Sequence, residues 1–161
     1  MESSIRIRND LRPGDVGNIV KFHGEYYSLT NGFDISFEPY VAIPLAKLVL
    51  RKDKRERIWI AENGNEFIGC IAIAKLKSKT AQLRWYIIKD NYRGKGIGRD
   101  LINKAIEFAV EMKYSKIILW TVSDQKAAIN VYKKNGFTLK IEKRHRIWGK
   151  ELSEQCYEKR L

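Results

Sequence analysis

Three glycines at alternate positions, Gly94, Gly96 and Gly98, separate an apolar run from a one-faced helix, and this junction constrains the chain more than any other stretch. Leu83–Ile88 is apolar and aromatic-rich, which predicts a strand. From near Ile97 the residues Leu101, Ile102, Ala105, Ile106, Phe108, Ala109 and Met112 recur at three- and four-residue spacing, as on the buried face of a helix. Strand, glycine loop and helix start together make an anion site. Glycine lets the backbone come close to a ligand and take unusual dihedrals. The first helical N–H groups lack internal partners and point at whatever lies before them. Arg93, Lys95 and Arg99 add positive charge, so a phosphate or diphosphate is the expected guest.

Two common phosphate motifs fail here. A dinucleotide fingerprint would need a small residue at Arg99 or at Leu101, depending on the starting glycine. A P-loop needs Gly-Lys-Ser/Thr at the helix entry, and none is present. The net charge of +12 also favours an acidic partner: a polyphosphate, a nucleic acid or an anionic surface. Basic clusters at Arg51–Arg57 and Lys140–Lys150 are ordinarily solvated faces. With 161 residues, 44% of them hydrophobic, the chain suits one globular domain over residues 1–161. Cys70 and Cys156 have neither metal nor disulfide spacing, and reduced, buried thiols fit a cytoplasmic protein. No signal peptide and no membrane-spanning run are expected.

The remaining elements alternate between strand and helix signals. Ser4–Arg8 reads as an edge strand, and Pro13-Gly14-Asp15 opens a helix near Val16–Tyr27 that Asn31-Gly32 ends. Glu38–Leu50 is helical but contains Pro44, so a kink or two short helices is expected. Arg57–Glu62 and Glu66–Lys75 flank the hairpin turn at Asn63-Gly64, and Thr80–Ile88 follows as a third antiparallel strand. Lys116–Val122 comes after the crossover helix and should run parallel to Thr80–Ile88. Gln125–Asn135 reads as a helix closed by Gly136, and Phe137–Arg146 with Ser153–Leu161 as a closing strand pair.

Arg93, Gly96 and Gly98 form Arg-x-x-Gly-x-Gly, which resembles the acetyl-coenzyme A signature of the GNAT N-acetyltransferase superfamily. Ala128, Tyr132, Gly136 and Phe137 match a second pattern of that family in register, with Gln125 where asparagine is usual. The resemblance implies an α/β (α+β) fold. Its sheet would be mixed and largely antiparallel, with about seven strands, one parallel pair and about four flanking helices. It also implies acetyl transfer from acetyl-coenzyme A to a primary amine, by direct attack in a ternary complex and without a metal. Ile87, Ile88, Arg93, Gly94, Lys95, Gly96, Ile97, Gly98, Arg99, Gln125, Ala128 and Tyr132 are then the expected coenzyme contacts. A backbone N–H near Tyr86–Ile88, beside a bulge, would polarise the thioester carbonyl.

In the family the tyrosine at Tyr132 protonates the departing thiolate. A phenol with a reference pKa of about 10 can do so as charge develops on a sulfur of about 8.5. An amine of pKa near 10.4 must also lose a proton, and Glu38, Glu62 and His145 are candidate bases. Glu38 is alternatively an acceptor contact. Tyr26, Arg84, Trp85 and His145 are the candidate acceptor residues, with Tyr27, Phe33, Phe37, Trp120 and Trp148 as further aromatics near them. Arg84 interrupts an apolar strand and needs an anionic partner, either an internal carboxylate such as Glu38 or an acidic acceptor.

Further segments resemble the acetyltransferase half of bacterial proteins that join a MarR-type winged-helix domain to a GNAT domain. They are Arg12–Asp15, His23-Gly24 with Tyr26-Tyr27, Phe37-Glu38 with Val41-Ala42, Leu83-Arg84, and the tail from His145 through Gly149 to Gln155. In that layout the winged-helix half precedes Met1. The expected partner is a small-molecule or peptide amine, with nucleic acid disfavoured, no membrane, and a homodimer left open. The competing reading is a non-catalytic module that binds coenzyme A or nucleic acid, stacking bases on the aromatic-basic run Arg144–Trp148.

Overall fold

The computed structural model describes residues 4–161. In chain order the elements are β1 (Ile5–Arg8), α1 (Asp15–Asn31), α2 (Phe37–Arg51), β2 (Arg57–Asn63), β3 (Glu66–Lys77), β4 (Thr80–Ile88), α3 (Ile97–Glu111), β5 (Lys116–Val122), α4 (Lys126–Lys134), β6 (Thr138–Ile147) and β7 (Lys150–Arg160), with a 3₁₀ turn at Asp90–Tyr92. One seven-stranded sheet runs β1-β2-β3-β4-β5-β7-β6. Among the described residues only β4 and β5 pair in parallel, joined by the α3 crossover. The expected architecture is therefore present.

The two faces of the sheet carry different helices. Leu101, Ile102, Ala105 and Phe108 of α3, with Ile129 and Tyr132 of α4, pack on one face around Ile71, Ile73, Leu83 and Leu119. Ile19 of α1, with Phe37, Val41, Leu45 and Leu48 of α2, covers the other face around Ile60, Cys70 and Ala72. Pro44 does not divide α2 into two short helices: the helix runs unbroken over Phe37–Arg51. The four- and three-residue spacing of Phe37, Val41, Leu45 and Leu48 anchors one face of the helix on both sides of the proline. Burial of about 1.5–3 kcal/mol per large apolar side chain outweighs one missing hydrogen bond.

Near the α1 start, Arg8 donates to both oxygens of Asp15 and to Glu62, while Arg6 also holds Glu62. Asp15 and Glu62 are both buried, so these guanidinium groups compensate two carboxylates taken out of water. The pairs hold both carboxyl groups below their usual range. Glu62 is thereby fixed on the β1–β2 edge, and it is absent from the residues lining the two cavities described below.

Two irregularities in β4 shape the middle of the sheet. The β4–β5 ladder pairs only Thr80–Gln82 with Lys116–Ile118, after which the strands part. Against β3, the register passes from Ala72 opposite Arg84 to Cys70 opposite Ile87. β4 therefore carries one extra residue, a bulge, with Trp85 at φ 51°. The extra residue reverses the alternation of the strand. Ala81 and Leu83 face α3, whereas Trp85 and Ile87 face α1 and α2, and Ile88 again faces α3.

At the far side, β6 and β7 meet in a two-residue turn, Trp148-Gly149, with φ 54° and 77°. Positive φ at both positions suits the right-handed twist of a hairpin. The turn starts β7 at Lys150, ahead of the expected Ser153, and seats Trp148 among Phe33, Phe37 and Tyr40 at 4.8–4.9 Å between ring centroids.

Candidate functional site

The glycine loop leads into α3 at Gly96, whose φ of 84° is left-handed. No side chain caps this helix, and the amides of Ile97, Gly98 and Arg99 have no acceptor among the described residues. Gly98 makes a close approach to two β4 side chains. A Cβ there would lie 2.5 Å from the Tyr86 hydroxyl and 2.9 Å from Cδ1 of Ile88. Its absence lets the first turn of α3 sit directly against β4. The result is a row of free N–H groups at a helix N-terminus, flanked by Arg93 and Arg99, which favours an anion.

These groups line a cleft of about 320 Å³. Ile87, Ile88, Arg93, Gly94, Gly96, Gly98, Arg99, Gln125 and Ala128 of the expected coenzyme residues border it, together with Tyr27, Tyr86, Ala127 and Val131. Lys95, Ile97 and Tyr132 do not: Lys95 stands 5.1 Å from the Tyr92 ring centre, Ile97 is buried in the core under α3, and Tyr132 borders the neighbouring cavity instead. Tyr26, expected at the acceptor, lies in this cleft instead. Its hydroxyl accepts from Nη2 of Arg93 at 2.6 Å, tying α1 to the loop.

A second cavity, about 100 Å³, lies on the α1–α2 side of the sheet opening. Arg84 and Trp85 border it, as do Trp148 from the hairpin and Tyr132 from α4. Tyr27, Tyr86, Gln125 and Ala128 border both spaces, so the two join where β4 and β5 part. Helix α4 serves both through two ridges one residue apart. Ala127 and Val131 face the cleft, Tyr132 faces the second cavity, and Ala128 touches both. Gln125 is anchored by donating its Nε2–H to Oδ1 of Asn31 at 2.9 Å.

Burial raises the Tyr132 phenol well above its ordinary pKa, so it holds its proton at neutral pH. Its ring centroid lies 5.9 Å from that of Tyr86. The bulge at Trp85 falls just before Tyr86–Ile88, the segment expected to present a backbone N–H. Glu38 packs against α1, where a Cβ on Gly24 would lie 2.5 Å from its Oε1, and it borders neither cavity. Arg84 is not paired with Glu38 or with any other carboxylate among the described residues. Its guanidinium stacks 4.7 Å from the Trp85 ring centre.

His23 and Glu154 border the second cavity without having been expected there. Nδ1 of His23 lies 2.7 Å from the carbonyl of Ile19 and must donate to it. That assignment leaves Nε2 as an acceptor. Burial lowers this imidazole to a pKa of about 4, so it is neutral. His145 does not border the cavity but stands behind Glu154 and hydrogen-bonds to it. Trp148 is buried in the aromatic cluster, which removes the aromatic on which a base was expected to stack.

Residues 23–137 match the model of the acetyltransferase (GNAT) family. N-acetyltransferase family 8 member 3 of Rattus norvegicus is 33% identical over 84 residues, 49% of this chain and 37% of that protein. An N-acetyltransferase of Methanocaldococcus jannaschii is 26% identical over 148 residues, 84% of this chain and 65% of its own. The matches thus span less than two thirds of these relatives' lengths. A crystal structure of an acetyltransferase from Streptococcus agalactiae superposes with TM-score 0.79 at 22% identity, covering 98% of this chain and 99% of that one. A GNAT family acetyltransferase from Elizabethkingia anophelis, solved with acetyl-CoA bound, gives 0.66 at 16% identity, covering 99% and 100%. These likenesses are to the fold.

Proposed function

Because this chain belongs to the acetyltransferase (GNAT) family, we propose that it transfers an acetyl group from acetyl-coenzyme A to an amine held in the second cavity. One observation carries the reading. A cationic, glycine-lined cleft and an aromatic cavity meet at the opening between β4 and β5, where α4 presents Ala128 and Tyr132. The residues fit the coenzyme. Three unpaired amides with Arg93 and Arg99 suit its diphosphate, and the small side chains of Ala127 and Ala128 leave width for its arm.

The coenzyme supplies a thioester, a reactive acyl donor. In the overall exchange an N–C bond replaces the C–S bond, and one proton passes from nitrogen to sulfur. Tyr132 is the proton donor on the sulfur side, since burial keeps its phenol protonated. The backbone after the Trp85 bulge offers a fixed N–H dipole to the carbonyl oxygen. Glu154, braced by His145, faces the amine side and takes over the role first considered for Glu38. Neutral His23 accepts a hydrogen bond there and is too weak a base to hold the proton itself.

The chain is read as a single unit of this family that resembles the acetyltransferase half of MarR-type fusion proteins. Cys70 and Cys156, both buried and free, suit a reducing cytoplasmic setting. Neither enters the proposed chemistry. Calorimetry with acetyl-coenzyme A, followed by thiol release against a panel of amines, tests the proposal. Saturable binding with acceptor-dependent release supports it, and absence of coenzyme binding overturns it.

A further inference from the structure

We infer that the acceptor is a compound with a carboxylate close to its reactive amine, a free α-amino acid being the simplest case. This deepens the acetyl-transfer reading and rests on it. The first observation is Arg84. It borders the cavity, is partly buried, and has no carboxylate partner among the described residues. Burial pulls its guanidinium below its ordinary pKa, and its neighbours Tyr40 and Trp85 supply a neutral phenol oxygen and aromatic faces but no negative charge. Arg8 and Arg51, by contrast, each hold a buried carboxylate. A desolvated planar fork with no internal anion is suited to a bidentate carboxylate from outside.

The second observation is the opposite charge on the same wall. Glu154 borders the cavity with a side chain only 12% exposed, and the Tyr40 phenol senses both Arg84 and Glu154. His23 adds an acceptor at Nε2, because its Nδ1–H is committed to Ile19. The cavity therefore presents a cation for a carboxylate and two acceptors for an ammonium group. That is the charge pattern of a zwitterion. A peptide terminus has an amide where the free acid has its carboxylate, and would leave Arg84 unanswered. The space of about 100 Å³, walled by Phe37, Tyr40 and Trp148, favours a small molecule with an apolar side chain.

The test compares L-alanine, L-leucine and L-phenylalanine with their amides and with the amines lacking the carboxyl group. Thiol release is followed with the full chain and saturating acetyl-coenzyme A. For at least one series, kcat/KM of the free acid is expected to exceed both analogues by about tenfold or more, because a site built for a polar group rejects ligands lacking it. Arg84→Gln should reduce that ratio to about threefold or less, mainly through KM. Coenzyme affinity by calorimetry should stay unchanged, and Arg84→Lys should restore part of the preference. Equal use of amides and amines, a preference that survives Arg84→Gln, or coenzyme binding with no release from any free acid would each overturn the inference while the coenzyme assignment stands. Absence of acetyl-coenzyme A binding would overturn the functional reading and this inference together.

Discussion

Arg84 and Trp85 are consecutive in β4 yet project to the same side of the sheet, with the guanidinium 4.7 Å from the indole ring centre. Neighbours in a regular strand face opposite ways. The extra residue of the bulge removes that alternation and places a cation and an aromatic together on the wall of one cavity.

Just past the bulge, where β3 pairs with Ile88, Gly69 leaves room that no other residue would. A Cβ there would stand 2.6 Å from the Ile87 carbonyl oxygen, a backbone atom held by the ladder. Gly69→Ala is expected to destabilise the fold by about 1–3 kcal/mol in urea unfolding, the usual range for overpacking. It should also weaken acetyl-coenzyme A binding, since β4 must shift beside the cleft. Unchanged stability and affinity would contradict this account of the bulge.

Gly96→Glu places a bulky anion at a left-handed position beside the unpaired amides. Coenzyme affinity should fall by about a hundredfold, roughly 2.7 kcal/mol, through backbone strain and charge repulsion. Calorimetry at fixed ionic strength measures it directly. An unaltered Kd would remove the loop from the coenzyme site.

Tyr132→Phe keeps the ring that packs against Tyr86 and Phe137 but removes the hydroxyl proposed as the proton donor. Single-turnover acetyl transfer should slow by about a hundredfold while coenzyme Kd stays within about twofold, as for loss of a general acid. A rate equal to that of the unaltered protein would assign Tyr132 to packing alone.

His23 links stability to pH. Its pKa is about 4 in the fold and about 6.5 when unfolded, so the unfolded chain binds more protons between those values. Stability should be fully present above pH 6.5, decline as pH falls through that window, and level off near 4. The whole contribution is about 3 kcal/mol, the free-energy difference between a pKa of 6.5 and one of about 4. His23→Gln should flatten this slope relative to the unaltered protein in urea titrations at pH 7, 6, 5 and 4. Parallel slopes would show that the imidazole is not buried in its neutral form.

Arg8→Ala would leave Asp15 without its guanidinium partner and Glu62 with only Arg6 and Arg12. A loss of about 3–5 kcal/mol is expected at pH 7, the cost of breaking a buried pair. The penalty should shrink as pH falls through the lowered carboxylate pKa values, because protonation removes the stranded charges. A change below about 1 kcal/mol would class the network as a surface contact.

The glycine-lined cleft was legible in the sequence because each of its parts is local. Thr80–Ile88, the glycine loop and α3 are continuous, and the α4 residues recur at helical spacing. The acceptor side was far less legible. His23, Arg84, Tyr132, Trp148 and Glu154 come from five separate elements or turns, and no spacing relates them. Tyr26 was expected beside the acceptor because helix periodicity could not tell which of two adjacent tyrosines faces which cavity; Arg93 holds it on the other side. The Trp85 bulge carries no turn-forming residue to announce it. The neighbouring Gly69 is the one residue type suggestive of close backbone approach, and its partner emerges only from strand pairing.

The parting of β4 from β5 has a mechanical consequence. Strands β1–β4 and β5–β7 are stitched edge to edge by only three residue pairs, Thr80–Lys116, Ala81–Ile117 and Gln82–Ile118. Past that seam, inward-facing peptide groups of both strands are left for something other than chain to occupy. A guest lying in the slot acts as an extra rung joining two half-sheets, so loading should stiffen the protein across its middle and slow amide exchange on both lips at once.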